Sequence, residues 1–200
     1  MLEKVDVVVE SLDVDEAPLR ALLSPDEQER AARFVFREDR RRYIVARARL
    51  RQLLGERLRV SPEKIELQYG AAGKPALAAS HGELRFNLSH CEDVAVYAFA
   101  DAAEVGVDVE AVRRLDDADE IAMRVFSPRE RAAYLRLPEG ERAWGFFRCW
   151  TRKEALVKAL GSGLSQPLED LDVSPAPEGW LLHSFVPGPG LVAALAVQMQ

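Results

Sequence analysis

Apolar and alternating runs punctuate the chain at VDVVVE (5–10), IELQY (65–69), near 84–88 and at VAVYAFA (94–100), and again at VGVDVE (105–110), near 171–173, near 180–186 and at VAALAVQ (192–198). Runs this short, with alternating or unbroken apolar character, predict strands. Between them stand two helix starts of the same kind. Ser24-Pro25-Asp26-Glu27 and Ser127-Pro128-Arg129-Glu130 each offer a capping serine, proline at the first helical position and glutamate three residues after the serine. Capping alone accounts for Glu130. Long helices are predicted to about 54 and to about 160, with Gly55 and Gly161 at their ends. Ser61-Pro62-Glu63 reads as a third, shorter helix start.

The same elements thus occur twice in the same order. The strand at 5–10 matches that at 105–110 at an offset of 100, and the two serine-proline starts match at 103. LLG (53–55) matches ALG (159–161) at 106, KIEL (64–67) matches DLDV (170–173) at 106, and VAVYAFA matches VAALAVQ at 98. The period is too long for a solenoid. The expected fold is α+β, a pseudo-two-fold duplication of one α/β unit. Residues 1–102 and 103–200 form the halves, and a ligand groove lies between them.

Composition narrows the classes. An apolar share of 48% with 30% charge supports a packed core. MLEKVDVVVE lacks the basic and apolar regions of a signal peptide, and the longest apolar runs are too short for a bilayer. Cys91 and Cys149 alone give no disulfide framework and fit a reducing cytoplasm. The net charge is −6, yet residues 30–59 hold eleven arginines against Glu38, Asp39 and Glu56. That points equally to a local anion site or to a solvated helix face, and it argues against general nucleic-acid binding, which needs a wide basic face.

Two groups of residues carry possible chemistry. Asp108 and Glu110 share one face of a strand, as either a wet sheet edge or half of a metal site, and their spacing alone favours the wet edge. Trp150, Glu154 and Lys158 fall at i, i+4 and i+8 of WTRKEALVKALGSGL. An exposed Glu–Lys pair is worth only a few tenths of a kcal/mol, but Trp150 on the same stripe implies that the face is partly covered. At offset 106, Glu154 stands opposite Ala48, Lys158 opposite Gln52 and Lys153 opposite Arg47, so the stripe is confined to the second half. Ser89-His90 reads as a tight turn between strands, and Gly73-Lys74-Pro75 as a turn whose lysine is either solvated or meets an anion.

In order, GKP, FNLSH, GVDVE, FSPRE and WTRKEALVKALGSGL resemble the motif set of the 4′-phosphopantetheinyl transferases of the surfactin-synthetase-activating (Sfp) type, over nearly the whole chain. SPDEQERAARFVFREDRRRY resembles that family's first-half helix region, where a lysine often stands in the place of Glu27. The resemblance implies transfer of the phosphopantetheine arm of coenzyme A to a serine of an apo acyl or peptidyl carrier protein. It further implies Mg²⁺ on Asp108, Glu110 and Glu154, with Asp108, Glu154 and Lys158 carrying the catalysis. Lys153, Lys158, His90 and Lys74 would contact coenzyme phosphates, Arg30, Arg33 and Arg42 the 3′-phosphate and adenine end, and Ser89 the nucleotide. The base that takes the serine proton would be Glu154 or a metal-held water. The first half would recognise the coenzyme and the second would carry the metal chemistry, in a cytoplasmic monomer that engages neither nucleic acid nor membrane. Arg113, Arg114, Met123 and Arg124 are either a carrier dock or solvated surface. A coenzyme A hydrolase and a non-catalytic coenzyme- or carrier-binding module are the alternatives.

Overall fold

A computed structural model describes residues 5–70, 73–161, 163 and 167–199. The first half runs β1 (Val5–Ser11), α1 (Pro25–Ala32), α2 (Arg37–Leu58), β2 (Leu67–Tyr69), β3 (Pro75–Leu77), β4 (Leu84–Cys91) and β5 (Val94–Asp101). The second runs β6 (Val105–Ala111), α3 (Ala118–Val125), α4 (Pro128–Leu135), α5 (Glu139–Leu160), β7 (Trp180–Phe185) and β8 (Leu191–Gln198). Both capping boxes form, at Ser24/Glu27 and Ser127/Glu130.

Each half builds an antiparallel three-stranded sheet with its last strand in the centre: β1-β5-β4 in one, β6-β8-β7 in the other. The central strands VAVYAFA and LVAALAV are apolar on both faces because both faces are covered. Val96, Ala98 and Ala100 of β5 meet Val105, Val107 and Val109 of β6 and Leu195 and Val197 of β8 in one core between the sheets. The alternate residues Ala95, Tyr97 and Phe99 pack under α2, while Ala194 and Ala196 pack under α5. The layers are therefore helix, sheet, sheet, helix. Burying each large side chain of these cores contributes roughly 1.5–3 kcal/mol.

Several expectations change. Residues 171–173 are not a strand: a 3-10 turn at Leu168–Asp170 precedes them, and the Val173 backbone N–H is spent on the Glu130 side chain instead of a ladder. The 65–69 strand shortens to Leu67–Tyr69, and α3 is a helix that the polar stretch LDDADE conceals. Ser89 and His90 lie within β4, and the turn falls at Glu92-Asp93, where Glu92 takes φ +52°. Gly161 closes α5 in the left-handed region, but Gly55 sits inside α2, where a β-carbon would lie 2.7 Å from the Val60 carbonyl.

The repeat register also shifts. Helix α2 ends at Leu58 and α5 at Leu160, an offset of 102 in place of 106. Glu154 therefore stands opposite Gln52, Lys158 opposite Glu56 and Lys153 opposite Arg51, one helical turn from the motif alignment. Tyr97 pairs with Val8 as Ala194 pairs with Asp108, so the central strands are offset by 97, not 98. A one-residue slip would exchange their two faces. What the repeat keeps is a buried ion pair behind each capping box: Arg51 Nε to Glu27 Oε2 at 2.7 Å, and Lys153 Nζ to Glu130 Oε2 at 2.7 Å. Capping therefore does not exhaust the role of Glu130.

Candidate active site between the halves

The strand GVDVE is read by α5. Val105, Val107 and Val109 face the sheet core, so Gly106, Asp108 and Glu110 face the helix. Gly106 allows the contact, since a β-carbon there would lie 2.0 Å from the Ala155 carbonyl oxygen and 2.5 Å from the Ala159 nitrogen. The small residues of EALVKAL let the helix lie directly on the strand. Asp108 is accordingly buried at 5% exposure, and the wet-edge reading of the carboxylate pair does not hold.

The close approach puts Lys158 over Asp108. The lysine Nζ lies 2.6 Å from Asp108 Oδ1. The Ser89 hydroxyl donates to the same oxygen at 2.9 Å, and Lys158 donates to Ser89 at 3.0 Å. Two residues before Ser89 on β4, the Asn87 side-chain carbonyl accepts the Val107 N–H at 3.0 Å, which ties the first half to the free edge of β6. Asn87 and Ser89 thus bridge the halves, and their two-residue spacing in FNLSH was the signal for it.

Asp108 Oδ2 is buried and has no partner among the described residues. Glu110 and Glu154 face the same place. Desolvation, and then the Asp108 charge, pushes the pKa of each above the ordinary carboxylate range. Arg113, Lys158 and Trp150 pull Glu110 partly back. Three carboxylates against one lysine, with a buried oxygen lone pair unused, are the donor chemistry of a hard divalent cation. Among the described residues no three ligands close on a preformed metal position, and Lys158 supplies the positive charge instead.

The phosphate-facing expectations divide. Lys74 lines a cleft of about 240 Å³ with Asn87, Glu154 and Lys158. Its ammonium is held by Glu104 at 3.1 Å and by the Ala159 carbonyl at 3.0 Å. His90 is open to solvent, and its pKa falls through partial desolvation and then the charges of Lys158, Arg42 and Arg47. Arg42 lies on this cationic wall and is bonded to Asp93 at 3.0 Å. Arg30 stacks near Tyr43 at 5.6 Å.

One assignment is corrected, and two other residues are engaged elsewhere. Lys153 cannot reach a phosphate: it is fully buried, paired with Glu130, and donates to the Leu168 and Leu171 carbonyls. Ser89 donates its hydroxyl to Asp108 and accepts from Lys158. Arg33 is bound to Glu29 on an open surface. Glu27, at the family's lysine position, is 3% exposed and committed to Arg51, so it offers the groove nothing. Of the possible carrier dock, Met123 is exposed on α3, Arg124 lies 3.9 Å from Glu120, Arg114 3.5 Å from Asp116 and Arg113 3.7 Å from Glu110.

Family models match both parts of the chain: "4′-phosphopantetheinyl transferase, N-terminal" over residues 16–102 and "4′-phosphopantetheinyl transferase superfamily" over residues 104–191. The 4′-phosphopantetheinyl transferase HetI of Nostoc sp. is 39% identical over 190 residues, spanning 90% of this chain and 80% of that protein. The chain belongs to the 4′-phosphopantetheinyl transferase superfamily. The transferase Sfp of Bacillus subtilis is 29% identical over 76% of this chain and 66% of its own length. A crystal structure of Thermotoga maritima holo-[acyl-carrier-protein] synthase is similar over 48% of this chain and 63% of that one, at 22% identity and a TM-score of 0.40. In this phosphopantetheinyl transferase, the cluster around Asp108 occupies the GVDVE and WTRKEALVK motifs.

Proposed function

We propose that this chain transfers the 4′-phosphopantetheine arm of coenzyme A to a serine hydroxyl of an apo acyl or peptidyl carrier protein. The observation that carries the reading is the buried Asp108 Oδ2, unpartnered among the described residues and flanked by Glu110, Glu154 and Lys158 in the groove between the halves.

Asp108, Glu110 and Glu154 would hold Mg²⁺, which would stabilise charge on the pyrophosphate oxygens when bound. The first half contributes coenzyme recognition and the second the reacting centre. Lys158 turns from Asp108 toward the phosphate nearest the carrier and balances its charge. The carrier serine oxygen forms a bond to the phosphorus that bears the pantetheine arm, and the phosphoric anhydride bond breaks. The electron pair leaves with 3′,5′-ADP. The serine proton passes to Glu154 or to a water beside it. Burial of Asp108 and the Asn87–Val107 tie keep the two halves in one register around the reacting atoms.

The site draws on both halves of one chain, which supports one coenzyme per chain and a monomer. Two free thiols fit a reducing cytoplasm, and no described helix is long and apolar enough to cross a membrane. The test is intact-mass measurement of a panel of apo-carriers after incubation with coenzyme A, Mg²⁺ and this protein. A gain of one phosphopantetheine on a carrier serine, with 3′,5′-ADP released, is expected. Release of 3′,5′-ADP without any carrier would support a hydrolase instead. Coenzyme binding with neither product would leave a binding module.

A further inference from the structure

A second cleft, of about 390 Å³, opens in the second half between α4, α5, residues 173–174 and β7. It shares no lining residue with the cleft that holds Lys74, Glu154 and Lys158. Both clefts lie against α5, but on different faces of it. Arg148 and Arg152, one turn apart, line the second cleft, and Arg152 and Glu154 point about 160° apart around the helix. Lys158 reaches from α5 to Asp108 on β6, whereas Arg152 reaches to the Val173 and Leu182 carbonyls at 2.7 and 3.3 Å.

The charge of this cleft is unbalanced. Among the described residues Glu130 is the one carboxylate that lines it, and Glu130 is fully engaged. Its Oε1 accepts the Val173 N–H at 2.7 Å, and its Oε2 accepts the Ser127 N–H at 2.8 Å and pairs with Lys153 at 2.7 Å. Neither Arg148 nor Arg152 makes an ion pair among the described residues. Like charges at i, i+4 repel. Burial, and then the Arg148 charge, lowers the pKa of Arg152. Donors also remain. Arg152 spends Nε, both Nη1 hydrogens and one Nη2 hydrogen on Val173, Leu182 and Ser184, which leaves one Nη2 hydrogen. Ser184 accepts from Arg152, so its own hydroxyl hydrogen is unspent. The Arg148 guanidinium and the Ser174 hydroxyl line the same cleft and have no hydrogen-bond partner among the described residues.

We propose that this cleft binds a phosphomonoester, with Arg148 and Arg152 as counter-charges, Ser174 and Ser184 as further donors, and Ala133, Leu137 and Val173 against the organic body. A dianion balances two guanidinium groups, where a monoanion would leave one charge over. A tetrahedral phosphate accepts from donors on several sides, and an arginine fork meets two of its oxygens at once. The apolar walls give an ester an advantage over free phosphate, because they bury a carbon body that free phosphate lacks. The site stands apart from the coenzyme groove and does not rest on the transferase reading.

Amide-resolved NMR on the full chain tests this, with phenyl phosphate as the probe and sodium chloride at matched ionic strength as the control. Phenyl phosphate should shift the signals of Arg148, Cys149, Arg152, Ser174 and Ser184 along one saturating curve. Inorganic phosphate should move the same signals with weaker affinity. Saturating coenzyme A should leave these shifts in place, since it fills the other cleft. Arg148→Met, at an exposed position, should weaken phenyl phosphate roughly tenfold, and Arg148→Lys should recover part of the loss. Shifts confined to Ser89, Asp108 and Lys158, shifts that coenzyme A abolishes, an unchanged affinity in Arg148→Met, or the same shifts from sodium chloride alone would each overturn the site. Equal affinity for inorganic phosphate and phenyl phosphate would overturn the ester assignment. A chain that does not bind coenzyme A removes the transferase reading, which is a different failure, and the titrations without coenzyme still decide this one.

Discussion

The Lys158 ammonium stands 2.6 Å from Asp108 Oδ1, with the Ser89 hydroxyl bonded to both. Three elements from two halves meet at one carboxylate oxygen, while the other oxygen of Asp108 has no partner among the described residues. Asp108→Asn keeps the shape and removes the charge. Turnover at saturating Mg²⁺ should fall by about 10³-fold or more, and near-normal turnover would remove Asp108 from the site.

Glu154→Gln should fold, bind one coenzyme A per chain and transfer at least ~10²-fold more slowly. Burial and the Asp108 charge both disfavour ionised Glu154, so losing its charge should raise Tm in metal-free buffer at neutral pH. Calorimetry and thermal melts read both halves of this expectation. An active variant, or two equivalent coenzyme sites in any form of the chain, would contradict it.

Gly106→Ala forces a methyl group to within 2.0 Å of the Ala155 carbonyl, and backbone cannot rotate aside as a side chain can. The expected loss is roughly 3 kcal/mol, visible in denaturant unfolding. Because α5 must lift off β6, transfer should fall even where the variant is folded. Wild-type stability would mean that α5 does not lie in contact with β6 at Gly106.

Lys153 should be structural. Lys153→Met alone leaves Glu130 buried and unpaired, at a cost of about 3–5 kcal/mol. Combining it with Glu130→Gln should recover much of that loss, since the amide can still cap α4. The folded double variant should bind coenzyme A with wild-type affinity. A selective loss of coenzyme binding at full stability would return Lys153 to the groove.

The Asp93 carboxylate is held below its ordinary pKa by its hydrogen bond to Arg42 and by the charges of Arg42 and Arg41. A lowered folded pKa adds stability above the unfolded value, and that stability is lost as pH falls through the folded one. Asp93→Asn should therefore be less stable than wild type at pH 7, by no more than about 1 kcal/mol for so exposed a pair. The gap should close in acid, as pH falls through the lowered folded pKa. A gap that persists there would point to lost packing instead of lost charge.

Much of this was legible in the chain itself. Strand patterns, the two capping boxes and the repeated element order follow from local rules: period-2 alternation, the needs of unpaired helix N–H groups and the fixed φ of proline. The motif residues Asp108, Glu110, Glu154 and Lys158 could be picked out by spacing and resemblance. The exact register of the repeat could not, because LLG and ALG look alike while only the packed helix ends, Leu58 and Leu160, fix the offset.

Which polar residues face the groove was decided by tertiary packing. Lys153 and Lys158 are both lysines on one helix, yet one is sealed against Glu130 and the other reaches Asp108. Arg47 and Arg51 differ likewise: Arg51 finds Glu27, and Arg47 lies near two tyrosine rings with no ion pair among the described residues. A sequence specifies which side chains carry charge. Whether a charge is spent on a neighbour or kept for a ligand depends on which elements fold across it, because a buried ion pair needs two groups that only the folded chain brings together.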